Sequence, residues 1–349
     1  MTDRTRLRSG IVPARPEIGG GVATPSFDLP DDATPGVPGP AAPTRIGPRE
    51  FAWGRRTYVM GILNVTPDSF SGDGLLGARA GGAGRAADPN GAELVDAAVA
   101  LGRQMVEEGA DLLDVGGESS RPGHSEIAPA DEVARVVPVI AALRAALSET
   151  PLSVDTTKPA VAAAALDAGA DLVNDVWGIA ADDELLRLAA ERRAPIVLMH
   201  NRAEARYTNL MPEILADLQA AIERALRAGV EWDAIIVDPG FGFGKTPAHN
   251  LVLLRELSLV RALGRPILLG TSRKSTLGKV LDLDADERLE ATLATTALGV
   301  AAGVDIVRVH DVRPNVRAAR MADAIVRGGW LPSETPAASA GAAASGGRP

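Results

Sequence analysis

The segment 169–175 reads GADLVND, and it contains the pattern that decides the fold. It begins with a Gly-Ala-Asp triplet, continues with the apolar pair Leu172–Val173, and ends in the polar residues Asn174 and Asp175. Related triplets stand at 109–111 and 303–305, each after a helix-like segment and before a strand-like one. A glycine that stops a helix just before a buried strand is typical of the short turns between helices and strands in α/β folds.

The same succession of strand, polar end and helix repeats along most of the chain. Short buried strands that alternate with helices predict a parallel sheet, and eight such units predict a closed (β/α)8 TIM barrel in the α/β class. The active site of such a barrel lies where its strands end. The eight apolar runs are Tyr58–Leu63, Leu112–Val115, Leu152–Val154, Leu172–Val173, Ile196–Met199, Ala234–Val237, Ile267–Leu269 and Ile306–Val309.

The composition favours a soluble enzyme over several other classes. The net charge is −9, so the basic surface of a nucleic-acid-binding protein is not expected. Cys is absent, which excludes disulfides and thiolate metal sites. Because the sequence contains no membrane-length apolar run and no signal-peptide pattern, we expect a cytoplasmic protein that binds no membrane.

Three stretches rich in Gly, Ala and Pro lie outside this pattern. We predict a disordered N-terminal arm over residues 1–46, a single barrel domain over 47–330, and a disordered C-terminal tail over 331–349. The segment 77–90 is predicted to be a lid or an insertion in the first strand-to-helix connection.

Three strand-end residues, Asp155, Asn174 and Asp238, are expected to point into the mouth of the barrel. Buried carboxylates and amides need hydrogen-bond donors, and a flat ring that carries several N–H groups would supply them. Any one of them alone could instead be the N-cap of the following helix. Three at equivalent positions favour a binding site.

Further candidates lie on the loops that follow the strands. Asn64 offers a hard amide oxygen suited to Mg²⁺, although an Asx-turn is the preferred explanation from its local sequence. Ser120, Arg121 and Pro122 belong to the string GGESSRPG at 116–123, where the forked Arg side chain suits a phosphate or carboxylate, with a surface turn as the alternative.

The string DPGFGFGK at 238–245 is the most distinctive in the chain. Its glycines allow a compact loop that places Phe241 or Phe243 against a flat ligand. It is not a phosphate-binding P-loop, because only three residues separate Gly240 from Gly244.

Cations follow the last two predicted strands. Arg273, Lys274 and Ser275 come after the seventh strand, and Arg308 and His310 lie two residues apart on the eighth. A phosphate site after these two strands recurs in barrels of this kind. For His200, which ends the fifth strand, a hydrogen-bonding role and a catalytic role are equally plausible.

Taken together, these strings resemble the dihydropteroate synthase family of pterin-binding barrels over residues 57–328. The resemblance rests on seven motifs in order, at 64–71, 116–123, 153–157, 174–178, 238–245, 272–275 and 308–312. It implies a transferase of folate biosynthesis that joins a pterin-methyl pyrophosphate to p-aminobenzoate and releases pyrophosphate. It also implies Mg²⁺ as cofactor, sulfonamides as inhibitors, and a homodimer.

The resemblance also implies a role for each matching residue. Catalysis is expected from Asp155, Lys274, Arg308 and His310; pterin binding from Asp155, Asn174, Met199, Asp238 and Lys274; pyrophosphate binding from Asn64, Arg308 and His310, with Asn64 as the metal ligand; and p-aminobenzoate binding from Phe70, Ser120, Arg121, Pro122, Phe243 and Ser275. Ser120 stands where many members of the family have Thr, so we expect changed packing there and retained activity.

Two other functions fit parts of the pattern. A methyltetrahydrofolate methyltransferase of the same fold would share the pterin carboxylates, but it has no use for the cations at Arg121, Arg308 and His310. A non-catalytic pterin-binding paralogue is expected to have lost some anion-binding or loop residues, and all of them are present here.

Overall fold

A computed structural model describes residues 39–66, 91–118, 127–177 and 183–328 of the chain. The predicted C-terminal tail, the 77–90 segment and most of the predicted N-terminal arm lie outside these residues. So do four of the predicted site residues, Phe70, Ser120, Arg121 and Pro122.

The described residues form a short hairpin followed by strands and helices in alternation. The hairpin comprises β1 (Thr44–Ile46) and β2 (Arg49–Phe51). The barrel strands are β3 (Tyr58–Asn64), β4 (Leu112–Gly116), β5 (Leu152–Asp155), β6 (Leu172–Asp175), β7 (Ile196–Met199), β8 (Ile235–Asp238), β9 (Leu268–Leu269) and β10 (Ile306–Val309). The helices are α1 (Gly91–Glu108), α2 (Pro129–Ala146), α3 (Pro159–Asp167), α4 (Glu184–Arg192), α5 (Leu210–Arg227), α6 (Pro247–Arg255), α7 (Ser275–Leu281), α8 (Leu289–Ala301) and α9 (Val312–Val326).

The eight strands β3 to β10 form one parallel sheet in the order β8-β7-β6-β5-β4-β3-β10-β9. A parallel bridge between Val237 and Ile267 joins the two ends of this order, so the sheet curls round to meet itself. The prediction of a (β/α)8 barrel is therefore confirmed, and the observed strand bounds lie within two residues of the predicted ones.

The interior of the barrel has an apolar floor and a polar ceiling. Its floor is a cluster of fully buried side chains, one from each barrel strand except β5: Met60, Leu112, Leu172, Val197, Ile236, Leu268 and Ile306. Side chains two residues apart on a strand point to the same face. The inward positions above this floor are therefore Ile62, Asp114, Asn174, Met199, Asp238, Gly270 and Arg308, and Asp155 lies in register beside Asn174. The polar residues of this set define the site.

The hairpin closes the amino end of the barrel. Ile46, Phe51 and Trp53 are buried and belong to the same cluster as the floor, and the Trp53 indole Nε1 donates to Thr44 Oγ1 at 2.9 Å. The predicted boundary of the disordered arm at residue 46 is thus too late, because Thr44–Ile46 form a strand that covers apolar surface. The chain there is too rich in Pro and Gly for a periodicity argument to find it.

The predicted turns at the amino end of the strands are present. Gly109, Gly169 and Gly303 have φ values of 105°, 111° and 94°. Residues with a side chain rarely adopt such φ values, which explains the glycine of each repeated triplet.

Within the described part of the chain, no helix has both the length and the apolar character needed to span a membrane.

Candidate active site

The strand register brings three of the predicted site residues and one glycine into a row at the carboxyl end of the barrel. Asn64 pairs with Gly116, Gly116 with Asp155, and Asp155 with Asn174 along the ladders of β3 to β6. A Cβ atom at Gly116 would lie 3.7 Å from Asn64 Oδ1 and 3.7 Å from Asp155 Oδ2. The absence of a side chain at Gly116 therefore leaves space between the amide and the carboxylate.

The guanidinium of Arg308 lies at the centre of a buried polar cluster. Its Nε donates to Asp114 Oδ2 at 2.6 Å, and its Nη2 donates to Asp155 Oδ2 at 2.6 Å. Asn174 Nδ2 donates to the same Asp114 oxygen at 3.0 Å. Asp155 and Asn174, which were assigned to the pterin, and Arg308, which was assigned to pyrophosphate, therefore belong to one network.

Asp114 belongs to this network, and sequence reasoning missed it. It lies within the run Leu112–Val115, whose other residues are apolar, and its side chain is fully buried. Its Oδ1 has no hydrogen-bond partner within the described residues. A signal was present: Asp114 interrupts one apolar run as Arg308 interrupts another, and two opposite charges buried in one barrel are expected to pair.

Burial shifts the pKa values of this cluster. Removal from water raises the pKa of Asp155 to about 7, against the opposing effect of Arg308. Burial works against the charge of Arg308, but Asp114 and Asp155 hold its pKa above the ordinary value. The cluster therefore keeps a permanent cation next to a carboxylate that titrates near neutral pH.

Lys274 and Asp238 form the second part of the site. Burial lowers the pKa of Lys274 to about 8 and raises that of Asp238, while each charge favours the other. The Lys274 ammonium donates to the Phe241 carbonyl and lies 4.3 Å from the centre of the Phe243 ring. Asp238 also accepts from the Gly240 backbone N–H at 2.7 Å, and the N-cap of the following helix is Thr246, so the alternative of an N-cap at Asp238 is wrong.

The remaining predicted residues lie near these two groups with different degrees of burial. Met199 is buried at the end of β7, in register with Asp238. Ser275 is exposed at the first position of α7, directly after Lys274. His310 lies one residue beyond the end of β10, where its Nδ1 is 3.0 Å from Ser272 Oγ and its backbone N–H donates to the same hydroxyl at 3.2 Å.

Arg273 and His200 are directed away from this cluster. Arg273 pairs with Asp311, with Nη2 2.6 Å from Oδ1, which leaves Lys274 as the inward cation of its segment. His200 is fully buried between Asp217 and Lys245. Among the described residues, no group of three His, Asp or Glu side chains is arranged to hold a metal ion.

Comparisons with known proteins agree with this geometry. Residues 60–310 match the family of pterin-binding enzymes. The dihydropteroate synthase of Clostridium beijerinckii is 48% identical over 284 residues, which cover 81% of this chain and 99% of that one.

Solved structures give the same result. A crystal structure of dihydropteroate synthase from Clostridium difficile in the presence of pteroic acid has a TM-score of 0.73 and 46% identity, covering 79% of this chain and 99% of that one. A complex of the Yersinia pestis enzyme with a sulfonamide drug has a TM-score of 0.72 and 36% identity, covering 81% and 98%. The chain therefore belongs to the pterin-binding enzyme family, among the dihydropteroate synthases.

Proposed function

We propose that the chain condenses 6-hydroxymethyl-7,8-dihydropterin pyrophosphate with p-aminobenzoate at the carboxyl end of its barrel, giving 7,8-dihydropteroate and pyrophosphate. The observation that carries this proposal is the buried network of Asp114, Asp155, Asn174 and Arg308 above an apolar floor. Such a network has to be satisfied by polar partners, and an aminopyrimidinone ring presents N–H donors and a carbonyl in one plane.

The pterin is assigned to the inward carboxylates and the amide at the carboxyl end of the barrel. Asp155, Asn174 and Asp238 supply acceptors and donors along one edge of the ring, and Met199 supplies an apolar wall. Asp114 Oδ1, which has no donor within the described residues, gains one if a ring N–H reaches it. Lys274 lies over the Phe243 ring and is assigned to the same ligand.

Pyrophosphate is assigned to Asn64, Arg308 and His310. The Asn64 side chain makes no hydrogen bond to another described residue, and it stands beside the space at Gly116. Its amide oxygen is a hard ligand of the kind that Mg²⁺ accepts, and Mg²⁺ keeps several waters and shares substrate phosphates. When bound, Mg²⁺ supplies neutralisation of charge on the leaving group.

The chemical step requires stabilisation of charge and positioning. The bond between the methylene carbon and the pyrophosphate oxygen breaks, and its electron pair leaves with pyrophosphate. The positive charge left on the pterin methylene lies near the Asp155 carboxylate. The amine of p-aminobenzoate then forms the C–N bond and releases a proton to water, and since this amine is neutral at pH 7 it needs orientation and no strong base.

The p-aminobenzoate is assigned to Phe243 and Ser275 together with Phe70, Ser120, Arg121 and Pro122, which lie outside the described residues. Sulfonamides are proposed to compete at this site. Sulfonamide binding by the Yersinia pestis relative supports this assignment.

A second copy of the chain is proposed to cover an exposed apolar face on α8 and α9. Leu298, Met321 and Ile325 expose 61%, 64% and 70% of their surface there. Contiguous apolar side chains on a surface mark interaction sites, and homodimers are the commonest assemblies. Cytoplasmic location and the division at residues 330 and 331 stay predictions.

One assay tests the proposed function. The chain is incubated with the pterin pyrophosphate, p-aminobenzoate and Mg²⁺, and pyrophosphate release is followed, with reactions that lack p-aminobenzoate as the control. Release that depends on p-aminobenzoate supports a synthase. Absence of release, together with measurable pterin binding, would support the non-catalytic paralogue.

A further inference from the structure

Among the described residues, the hydrogen-bond partners of the Lys245 side chain are all neutral groups. Its ammonium donates to the carbonyls of Gly240 and Phe243 at 2.9 and 3.0 Å, and it lies 2.8 Å from His200 Nδ1. An ammonium has three N–H donors, so this arrangement uses all of them. Burial lowers the pKa of Lys245 to about 7, with Asp238 acting in the opposite direction.

The contact with Lys245 determines the state of the His200 ring. Nδ1 accepts from the ammonium, so the ring proton lies on Nε2, which donates to Asp217 Oδ2 at 3.2 Å. Burial, reinforced by Lys245, lowers the pKa of His200 to about 3. Asp217 is held in turn by Arg202, whose Nη2 is 2.7 Å from Oδ2. His200 is thus a neutral acceptor that orients Lys245.

The segment that Lys245 holds is the loop between β8 and α6, called here the glycine loop (residues 240–244). The two carbonyls that it binds lie on either side of Phe241 and Gly242. The loop is packed against the chain after β7, since a Cβ atom at Gly240 would overlap the His200 carbonyl and one at Gly244 would overlap Arg202. The chain after β7 therefore blocks movement of the loop toward it, and Lys245 holds the loop through its two carbonyls.

The opposite side of the glycine loop supports Lys274. The Phe241 carbonyl accepts from the Lys274 ammonium, and the Phe243 ring lies 4.3 Å from it. A Cβ atom at Gly242 would lie 2.8 Å from Lys274 Cδ. Two of the four lysines of the chain thus contact the two sides of one short loop.

We propose that Lys245, with neutral His200 as its acceptor, is a positioning residue that fixes the glycine loop so that Phe241 and Phe243 hold Lys274 against the substrates. This proposal rests on the proposed function, which assigns the pterin to Lys274. Lys245 affects the substrates only indirectly, by holding the loop that contacts Lys274. A residue without three donors at position 245 would leave at least one loop carbonyl or the His200 ring without a partner.

The first test replaces the ammonium and keeps the length of the side chain. Lys245→Met is expected to raise KM for p-aminobenzoate and to lower kcat/KM on the order of 10- to 100-fold, since a small misplacement of a binding group has effects of this size. Arg206→Met, which removes an exposed cation from the neighbouring segment, is the matched control and should behave as the wild type.

The second test uses a pair of variants at position 200. His200→Asn keeps an acceptor close to the Nδ1 position and should retain most of the wild-type kcat/KM. His200→Leu removes the acceptor and should show the same defect as Lys245→Met. If the two residues act as one unit, the double variant Lys245→Met/His200→Leu is no worse than either single variant. The pair keeps the proposal testable if Lys245→Met fails to fold.

A purely structural role predicts a different result, in which Lys245→Met lowers Tm but leaves both KM values unchanged. That result, or equal kinetics of His200→Asn and His200→Leu, would overturn the proposal. Nitrogen NMR of the His200 ring provides a readout that is independent of turnover, and the wild type should show the proton on Nε2. If the wild type releases no pyrophosphate but the ring has this tautomer, the proposed function is wrong, while the contact between Lys245 and His200 is confirmed.

Discussion

Arg308 donates a hydrogen bond to Asp155, with 2.6 Å between Nη2 and Oδ2, although 153 positions separate the two residues in sequence. The contact joins the two halves of the proposed site, because Arg308 is assigned to the pyrophosphate and Asp155 to the pterin. Pyrophosphate that draws the guanidinium toward itself would leave Asp155 with more of its negative charge facing the pterin. The same contact therefore couples binding of the leaving group to stabilisation of the methylene cation.

Asp114 is expected to matter for both stability and activity. Asp114→Asn removes the charge that holds Arg308 Nε and Asn174 Nδ2 and brings an extra donor to a site with two donors already. We expect the free energy of unfolding to fall by about 1–3 kcal/mol, the effect of leaving a buried polar group unsatisfied. Urea denaturation measures this change, and kcat/KM should fall in parallel. Unchanged values of both would show that Asp114 does not anchor the cluster.

The pH dependence of kcat/KM is expected to be bell-shaped. Asp155 acts as an anion, so kcat/KM should fall as the pH drops through about 7. Lys274 acts as a cation, so kcat/KM should fall as the pH rises through about 8. Because kcat/KM reports the free enzyme, the acid limb of kcat, which reports the complex, should lie at lower pH once pterin N–H groups stabilise the carboxylate. An acid limb at the same pH in both profiles would contradict the contact between Asp155 and the pterin.

Lys274→Ala should largely abolish turnover. The variant loses the buried cation that is assigned to the pterin and that lies over the Phe243 ring. Removal of one electrostatic contact to a transition state lowers kcat on the order of 100-fold or more. Steady-state pyrophosphate release measures the effect. Lys279→Ala on α7, the helix that follows Lys274, is the control, because Lys279 is exposed and should tolerate the change. Near-normal kcat/KM in Lys274→Ala would remove Lys274 from the proposed site.

Asn64→Ala should weaken the response to Mg²⁺ and spare the binding of a pterin that lacks pyrophosphate. The Mg²⁺ concentration for half-maximal activity is expected to rise, because the variant lacks the amide oxygen beside Gly116. A Mg²⁺ titration of pyrophosphate release measures this, with Asn209→Ala as the control since Asn209 is exposed and its side chain makes no capping bond. Equal Mg²⁺ requirements in both variants would exclude Asn64 as a ligand.

The apolar face on α8 and α9 is expected to determine the oligomeric state. Leu298→Glu places a charge on α8, where 61% of the Leu298 surface is exposed, so the fold should survive while a dimer dissociates. Sedimentation velocity of the wild type and the variant tests this expectation. Leu226→Glu, at a 39% exposed position on α5, is the control. A wild-type monomer at high concentration would refute the dimer.

Periodicity and chemistry along the chain were sufficient to predict the strands of the barrel and to place Asp155, Asn174 and Asp238 at its carboxyl end. A strand that ends in Asp155 or Asn174 reveals its polar end locally, because inward side chains above an apolar floor follow a period of two residues. Asp114 escaped this reasoning because its run is short, so that one carboxylate among three apolar residues resembles noise. The hairpin strand Thr44–Ile46 escaped it because the strand has only three residues and lies in a Pro- and Gly-rich stretch, where no periodicity can be detected.

The amino-acid sequence by itself determined the succession of strands and helices, the rim that carries the chemistry, and the family. The tertiary structure decided which polar groups meet: Arg308 with Asp114 and Asp155, Lys274 with the carbonyl of Phe241, and Lys245 with His200. The physical reason is that hydrophobic patterning is local along the chain. The pairing of buried charges depends on strand register and on the curvature that closes the sheet, and both bring together residues far apart in sequence.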